Sequence, residues 1–438
     1  MKRFVLACAL PRCGAALILG SLMTTAAIAE DMLRADPDRM QSRIEALGQF
    51  GANPEGGVSR VAFSDADLEG RAWLKEQMVS LGLTVSTDLA GNIVGRRVGN
   101  NEALPPILFG SHIDSVPGGG NYDGQVGVVG ALEVVELLNQ AGITTEHPLE
   151  VVSFTDEEGG LVGSRAMIGK LTEDALDVVS NSGFTIREGL ARVGGDAERI
   201  EEAARPPESL TAFLELHIEQ GGILEQKELQ IGVVQGIVGI RWWDVTVEGV
   251  ANHGGTTPMP QRNDALVAAS KLAIAINTTA TELEGRQVAT VGRIEAFPGA
   301  PNVVPGKVIM SLEIRDLDGD KMQQVFDLVE TQAQDIAKAS EVSISFNELD
   351  VASPPALTDT GIRDLIAEAA ESLGYSYQRM PSGAGHDAQD LAKITPTGMI
   401  FVPSKGGISH SPYEYTSPED MANGATVLFH TVMALDAQ

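Results

Sequence analysis

The feature that most constrains the fold is a predicted succession of strand, helix and strand in residues 107–154, each element of which is rich in apolar residues. ILFGSH (107–112) is a short apolar run, GVVGALEVVELLNQAG (127–142) has helical periodicity, and LEVVSF (149–154) is a second apolar run. A third apolar run lies in LTAFLELHI (210–218). Apolar strands that alternate with helices are typical of a parallel sheet covered on both faces. The sequence therefore predicts an α/β fold: a mixed, largely parallel sheet flanked by helices.

The sequence pattern changes from about residue 228. LQIGVVQGIVGIRWWDVTVEG (229–249) has the pattern of one or two long strands, and a helix, two strands, a helix and a strand follow it. The order βαββαβ is that of a ferredoxin-like unit. We therefore predict that residues 228–348 form an inserted domain, and that residues 30–227 and 349–438 together form the first domain.

Residues 1–29 have the layout of a secretory signal peptide: a basic start, an apolar stretch and small residues before Glu30. Both cysteines, Cys8 and Cys13, lie within it, so the mature chain would have no disulfides and no thiol catalysis. A single membrane anchor is the alternative, but the apolar run from Cys13 to Ala29 is short for a span. We predict a periplasmic or secreted protein with no stable membrane association after cleavage.

The charge balance bears on the class of partner. The chain has 60 acidic and 31 basic residues and a net charge of -29. A surface this acidic repels a phosphate backbone, so we expect no nucleic-acid partner. The net charge does not argue against a small-molecule substrate.

Histidines and carboxylates occupy the ends of the apolar runs. Because the site of an open α/β sheet lies at the carboxyl ends of its strands, these side chains are expected to converge. Imidazoles suit borderline metals such as Zn, and a carboxylate can bridge two ions about 3.5–4 Å apart. Singly, each residue also has an ordinary structural interpretation, but the combination favours a two-metal site. The residues are His112, Asp114, Asp123, Glu157, Glu158, His217 and His410.

A family resemblance rests on seven motifs that occur in order between about residue 40 and the end of the chain. They are GSHIDSVPGGGNYDG, SFTDEEGG, LELHIEQG, NHGGTTPM, PGAPNVVPG, SGAGHDA and GISHSPYE. Together they resemble the amidase/carbamoylase branch of the dinuclear metallo-aminoacylase and carboxypeptidase superfamily. N-carbamoyl-L-amino acid hydrolases, β-ureidopropionases and allantoate amidohydrolases belong to this branch. The resemblance implies two divalent ions per subunit (Zn, Mn, Co or Ni), a homodimer, and an inserted domain that serves as lid and dimerisation domain.

The resemblance also assigns metal ligands and catalytic groups. Asp123 corresponds to a carboxylate that bridges the ions, and Glu157 to the general base that accepts a proton from water. Asp114 corresponds to a group that orients a ligating imidazole. His253 corresponds to a histidine that stabilises the oxyanion, often from the neighbouring subunit. The implied ligands are His112 and His217 on one ion, Glu158 and His410 on the other, and Asp123 between them.

The substrate residues are implied in the same way. Asn302 and Arg315 correspond to residues that hold a substrate carboxylate, a task that suits the planar fork of an arginine. In isolation they would be a turn asparagine and a surface arginine. The full set of substrate residues is Gln220, Arg241, Asn302, Arg315, Gly383, Ala384 and His386.

These assignments predict a dinuclear-metal amidohydrolase that cleaves a linear amide or ureido C–N bond of a small carboxylate substrate. We expect N-carbamoyl-L-amino acids, which yield the amino acid, CO2 and ammonia. An allantoate amidohydrolase is an alternative, which is weakened because Ile240 stands where those enzymes have the glutamine of a Gln-Arg pair. An N-acyl-amino acid deacylase is another. Two other classes agree less well with the sequence. A non-catalytic binding protein would be expected to lack the base or a ligand, and here all are present. An aminopeptidase would need a pocket for a free amino terminus, and the carboxylate-holding Asn302 and Arg315 argue against it.

Overall fold

The structure, a computed structural model, describes Met1 and residues 33–349 and 353–438. Apart from Met1, the predicted signal peptide therefore lies outside the described residues. Within these ranges no helix combines the length and the apolarity that crossing a bilayer requires.

The described residues form strands and helices that we number in chain order. The strands are β1 Thr84–Thr87, β2 Ile93–Arg97, β3 Ile107–His112, β4 Leu149–Phe154, β5 Ala212–Ile218, β6 Ile231–Ile237, β7 Gly239–Glu248, β8 Asn252–His253, β9 Val288–Thr290, β10 Ile294–Phe297, β11 Val303–Val304, β12 Lys307–Asp316, β13 Ser343–Glu348, β14 Ala356–Leu357, β15 Tyr377–Ser382 and β16 Thr397–Val402. The α-helices are α1 Pro37–Leu47, α2 Asp65–Ser80, α3 Gln125–Ala141, α4 Glu157–Gly160, α5 Val162–Met167, α6 Glu173–Leu176, α7 Ile186–Val193, α8 Ile223–Gln226, α9 Ala265–Glu282, α10 Gly319–Ser340, α11 Thr360–Ser372, α12 Ala388–Leu391 and α13 Pro418–Asp436.

The larger sheet has nine strands in the order β1-β2-β4-β3-β5-β16-β6-β14, with β15 paired to β6. Its centre, β4-β3-β5-β16, is parallel, whereas β1 and β2 join antiparallel at one edge. Every residue of the four central strands is buried, as expected for strands that helices cover on both faces. The predicted mixed, largely parallel sheet is confirmed.

Alternate residues of these strands enter two separate cores. Phe109 and Leu214 point to the face that carries α3, α11 and α13. Leu108 and Phe213 point to the opposite face, which α5 and α12 cover. Because side chains alternate along a strand, a run of apolar residues is required here to fill both cores. This double covering leaves only the ends of the central strands open for a site.

The second sheet has the order β10-β12-β7-β13, with β9 also paired to β12. Trp243 and Val245 of β7 are buried against α9 and α10, which both lie on one face. The alternate residues Trp242 and Asp244 lie on the other face, which no helix of this domain covers. The chain order β7-α9-β10-β12-α10-β13 is the predicted ferredoxin-like arrangement.

The start of the inserted domain requires a correction. β6 pairs with β15 and β16, so it belongs to the larger sheet, and the second sheet begins at Gly239 rather than at residue 228. Val238, between the two strands, donates its N–H to the carbonyl of Ser382 in β15. One continuous strand-like run in the sequence is therefore shared between two sheets.

Candidate active site

The site forms where the central parallel strands end. His112 is the last residue of β3, and His217 lies at the corresponding end of its parallel neighbour β5. Glu157 and Glu158 follow β4 after a turn in which Asp156 has left-handed backbone geometry (φ 52°). His410, in the loop after β16, also has positive φ. Parallel neighbours end at one edge of the sheet, so four separate segments reach the same place.

Asp123 lies between two groups of side chains that could each hold a metal ion. Its Oδ1 is 3.1 Å from Nε2 of His217 and 3.8 Å from Nε2 of His112. Its Oδ2 is 3.2 Å from Nε2 of His410, which is 3.4 Å from Oε2 of Glu158. In each group the possible ligand atoms lie within 4.8 Å of one another. One carboxylate that offers an oxygen to each group has the geometry of a bridge between two ions.

The two buried histidines present the correct nitrogen to a metal. Nδ1 of His112 is 3.1 Å from the carbonyl oxygen of Asp114, and Nδ1 of His217 is 2.9 Å from that of Ile218. A carbonyl only accepts, so both Nδ1 atoms carry a proton, and Nε2 of each ring is the nitrogen that faces Asp123 and is left to bind a metal. Nε2 of His112 and Oε1 of Glu158 are buried without a hydrogen-bond partner. A divalent cation in each of the two groups would satisfy these atoms, so the donor set fits the implied metals.

Glycine is required at two positions of the loop that carries Asp123. Gly124 has φ 74°, and a Cβ there would lie 2.3 Å from Nε2 of His112. A Cβ on Gly120 would lie 2.1 Å from Oε1 of Glu414. Both approaches are far too short for real atoms. The glycines therefore let this loop fold against the ligand side chains.

Asp114 fixes the segment that bears the two glutamates. Its carboxylate oxygens accept the backbone N–H groups of Glu157 (3.4 Å) and Glu158 (3.2 Å). Its Oδ1 is also 3.6 Å from Nδ1 of His112. One buried carboxylate thus links His112 on β3 to Glu157 and Glu158 after β4, which is the geometry that the predicted orienting role would need.

Burial and crowding of acids perturb the protonation of the site. Burial, together with neighbouring carboxylates, raises the pKa of Glu157 well above its ordinary value and that of Glu158 to about 7. The hydrogen bond to Asp123 raises the pKa of His410 to about 9. Burial alone would raise the pKa of Asp123, but hydrogen bonds from His217 and His410 hold it well below its ordinary value. Without cations the cluster therefore retains protons that bound ions would displace.

Glu414 is a site residue that the sequence reasoning missed. Its Oε1 accepts the backbone N–H groups of Tyr122 (2.9 Å) and Asp123 (3.0 Å). Its Oε2 accepts the hydroxyl of Ser409 (2.8 Å) and the N–H of His410 (3.2 Å). A single buried carboxylate therefore joins the Asp123 loop to the His410 loop. The only sequence signal was an acid four residues after a predicted ligand.

Two predicted substrate segments contact the two metal-ligand groups. One group is His112, Asp123 and His217, and the other is Asp123, Glu158 and His410. The amide of Gln220 donates to Oδ2 of Asp123 at 2.6 Å. The ring of His386 packs edge-on against His217 with 4.5 Å between centroids, and its Nε2 is 2.7 Å from Oγ of Ser382. Ser382 also binds both backbone groups of Ala384, which holds the loop that contains Gly383.

Arg315 connects the inserted domain to this loop. It lies near the end of β12, and its Nη1 donates to the carbonyl oxygen of Gly383 at 2.7 Å. The structure therefore brings two predicted substrate residues, one from each domain, into contact.

Arg241 is one predicted substrate residue that the structure places elsewhere. It lies opposite Ile314 in the β7–β12 pair, and Ile314 is buried against the helices of the inserted domain. Residues opposite each other share a face, so Arg241 points to the face opposite that of Arg315. Its guanidinium binds Glu348 at 2.7 Å and lies 4.7 Å from the ring centre of Trp243. These contacts belong to the inserted domain, so a role in binding substrate is not supported.

His253 and Asn302 lie together at the far end of the inserted domain. β8 and β11 pair there, and the N–H of Gly254 donates to the carbonyl oxygen of Asn302 at 2.7 Å. Both side chains are exposed. For neither residue does the described part of the chain show a hydrogen bond or ion pair to the metal-ligand group.

Comparisons with known proteins agree with this geometry. A sequence model of the peptidase family M20/M25/M40 matches residues 108–434. An N-carbamoyl-L-amino acid amidohydrolase from Geobacillus stearothermophilus is 41% identical over 403 residues, which cover 91% of this chain and 98% of that relative. A ureidoglycolate hydrolase from Arabidopsis thaliana is 40% identical over 416 residues, which cover 92% of this chain and 87% of that relative.

A solved structure shows the same fold. An amidase of the hydantoinase/carbamoylase family from Burkholderia multivorans has a TM-score of 0.86 at 37% identity, and the match covers 92% of this chain and 99% of that one. The region matched by the family model includes every residue of the two metal-ligand groups, and the relatives act on C–N bonds. The predicted resemblance is confirmed: this chain is a hydrolase of amide C–N bonds, and it belongs to the peptidase family M20/M25/M40.

Proposed function

We propose that this protein hydrolyses N-carbamoyl-L-amino acids to the free amino acid, CO2 and ammonia, with two divalent ions (Zn, Mn, Co or Ni) per subunit. The observation that carries the proposal is the placement of Asp123, whose two oxygens face two separate groups of ligand atoms. His112 and His217 would hold one ion, and Glu158 and His410 the other. The similarity to the Geobacillus N-carbamoyl-L-amino acid amidohydrolase supports the substrate class.

The chain's own residues define the chemical step. Bound ions supply an activated water and polarise the scissile carbonyl. Glu157, whose Oε2 is 3.6 Å from Nε2 of His112 and whose side chain is 9% exposed, belongs to neither metal-ligand group. It takes the proton from the attacking water and delivers it to the departing nitrogen. Asp114 holds the backbone of Glu157 and so fixes where that carboxylate lies.

The ring of His253 is prepared to donate a hydrogen bond. Its Nδ1 accepts the N–H groups of Gly255 (3.0 Å) and Thr256 (3.1 Å). Nδ1 is therefore unprotonated, and the proton of the neutral ring lies on the exposed Nε2. This tautomer suits a donor to the oxygen that gains charge in the transition state.

The inserted domain is too long for one chain to supply all the predicted substrate contacts. Lys307 and Arg315 are eight residues apart in β12, which at about 3.4 Å per residue corresponds to roughly 27 Å. His253 and Asn302 extend from the Lys307 end, whereas Arg315 touches Gly383. A small substrate can contact both Arg315 and Asn302 only if they come from different chains. This supports a homodimer in which His253 and Asn302 serve the partner's site.

Ureidoglycolate is a second candidate substrate because of the Arabidopsis relative, and its name describes a ureido group beside a carboxylate. Allantoate is less well matched. Ile240 lies opposite Arg315 and shares its face, so an apolar side chain stands beside the group that would bind carboxylate. It offers no hydrogen bond to a second ureido group.

The test is a substrate panel. Purified protein, stripped of metal and reloaded, is assayed for product release from N-carbamoyl-L-amino acids, ureidoglycolate, allantoate and N-acetyl-amino acids. We expect the highest kcat/KM on N-carbamoyl-L-amino acids and no turnover without metal. A higher kcat/KM on any other member of the panel, or full turnover by the stripped protein, would contradict the proposal.

A further inference from the structure

Arg315 is already bound to a carboxylate of its own chain. Its Nε donates to Oε1 of Glu313 at 2.8 Å, and its Nη2 donates to Oε2 of the same residue at 3.1 Å. Residues two apart on a strand share a face, so β12 itself places the two side chains together. Glu313 thus occupies the side of the guanidinium that includes Nε.

Glu313 is held in turn by the neighbouring strand. Trp242 lies directly opposite it in β7, and the indole N–H of Trp242 donates to Oε2. The side chains of Glu313 and Arg315 are only 23% and 25% exposed. A chain of contacts therefore runs from Trp242 through Glu313 and Arg315 to the carbonyl oxygen of Gly383.

The remaining donors of Arg315 are well defined. A guanidinium has five N–H donors in one plane, and the bonds to Glu313 and Gly383 use three of them. One hydrogen remains on each terminal nitrogen. Two such hydrogens match the two oxygens of a carboxylate.

We propose that Glu313 is a positioning residue that fixes Arg315 so that its free terminal hydrogens meet the substrate carboxylate. This inference rests on the proposed function, because it takes Arg315 as the group that holds that carboxylate. Without Glu313 the guanidinium can rotate about its side-chain bonds, and the substrate must then order it on binding. Glu313 itself does not touch the substrate.

The experiment compares two substrates, an N-carbamoyl-L-amino acid and its carboxyl-amidated analogue, with Glu313→Gln protein. The amidated analogue lacks the two carboxylate oxygens to which Arg315 would donate. We expect KM for the acid to rise on the order of tenfold, kcat to stay within about twofold, and kcat/KM for the analogue to be unchanged. Trp242→Phe, which removes the indole donor to Glu313 together with one of the two fused rings, should change KM in the same direction by a smaller factor.

Asp244→Asn is the matched control. Asp244 lies on the same face of β7 and pairs with Arg293, but it does not contact Arg315. It should leave both substrates unaffected. An unchanged or lowered KM in Glu313→Gln, an equal loss on acid and analogue, or an equal effect of Asp244→Asn would overturn the proposal. If Glu313→Gln does not fold, Trp242→Phe decides by the same criteria.

Different results would show that the proposed function itself is wrong. If the wild type hydrolyses no N-carbamoyl-L-amino acid, or if Arg315→Ala does not reduce its preference for the acid over the analogue, the carboxylate site itself is refuted. The positioning role of Glu313 is then refuted as well, because it requires that carboxylate site. If Arg315→Ala abolishes the preference and Glu313→Gln does not alter it, only the positioning role is wrong.

Discussion

Replacement of Glu414 by glutamine should loosen the metal centre without removing a ligand. Glu414 accepts two hydrogen bonds on each oxygen, from Tyr122 and Asp123 on one and from Ser409 and His410 on the other. Glutamine has the same shape but replaces one oxygen by an NH2 group, which cannot accept. Two donors therefore lose their acceptor, either the buried N–H groups of Tyr122 and Asp123 or the partly buried hydroxyl of Ser409 and N–H of His410.

The expected loss in the free energy of unfolding follows from these two donors without an acceptor. A buried donor left without a partner costs about 1–3 kcal/mol, so two cost about 2–6 kcal/mol. Glu414 also holds the backbone of Asp123 and His410, and the loss of a partner that orients ligands typically lowers metal affinity 10–100-fold. We expect Glu414→Gln to show both effects. Glu419→Gln, an exposed acid at the start of α13, should cost below about 1 kcal/mol and leave metal affinity unchanged.

Two measurements separate these effects. Chelator competition gives the metal affinity of each variant, and urea unfolding of the stripped proteins gives their relative stability. If Glu414→Gln binds metal as tightly as the wild type, Glu414 does not orient the ligands. If it is no less stable than Glu419→Gln, the four hydrogen bonds do not have the energy assigned to them.

Three further outcomes are expected. Glu157→Gln should retain its metal and lose about 10²–10⁴-fold in kcat; a loss of metal with normal activity per bound ion, measured by metal analysis and kinetics, would refute its role as base. The raised pKa of His410, about 9 in the metal-free protein, stabilises the apo fold below pH 6.5, and this stability is lost as the pH rises through 9. Because the ion must displace that proton, metal affinity should increase from pH 6.5 to 9 in competition titrations, and a flat profile would contradict this. Subunit exchange between inactive His253→Ala and inactive Glu157→Gln proteins should restore activity towards half of wild type per mixed dimer; no recovery with exchange confirmed, or a monomer in solution, would exclude the proposed action across the dimer.

Export of the protein stays a prediction. We propose that the chain is cleaved before Glu30 and acts in the periplasm or outside the cell. Mass spectrometry of the native protein should find Glu30 at the amino terminus. An intact Met1 in a cytoplasmic fraction would contradict the proposal.

The sequence predicts well those features that depend on local order. His112 and His217 each stand at the end of an apolar run, and parallel pairing brings such ends together without further information. The two glutamates after β4 follow the same rule. This explains why the α/β fold and the convergence of the predicted ligands could be anticipated from residue order alone.

The features that the sequence missed depend on pairing between distant segments. Glu414 binds backbone N–H groups some 290 positions away, and a backbone donor leaves no mark in the sequence. Arg241 was misassigned because its face depends on which residues of β7 meet the helices. The boundary near residue 228 was misplaced because β6 and β7 form one continuous strand-like run, and only pairing with β15 and β16 separates them.

The order of the ligands along the chain has a consequence for biosynthesis. His112 and Asp123 precede the inserted domain and are translated before it, whereas His410 and the carboxylate of Glu414 that secures it are translated after it. Domains generally fold as units while the chain is being made. Here the inserted domain can fold first, but the site also needs the loop of His410, which follows that domain in the chain. The two groups of possible ligand atoms, which share Asp123, can therefore be completed only after residues on both sides of the inserted domain have been made.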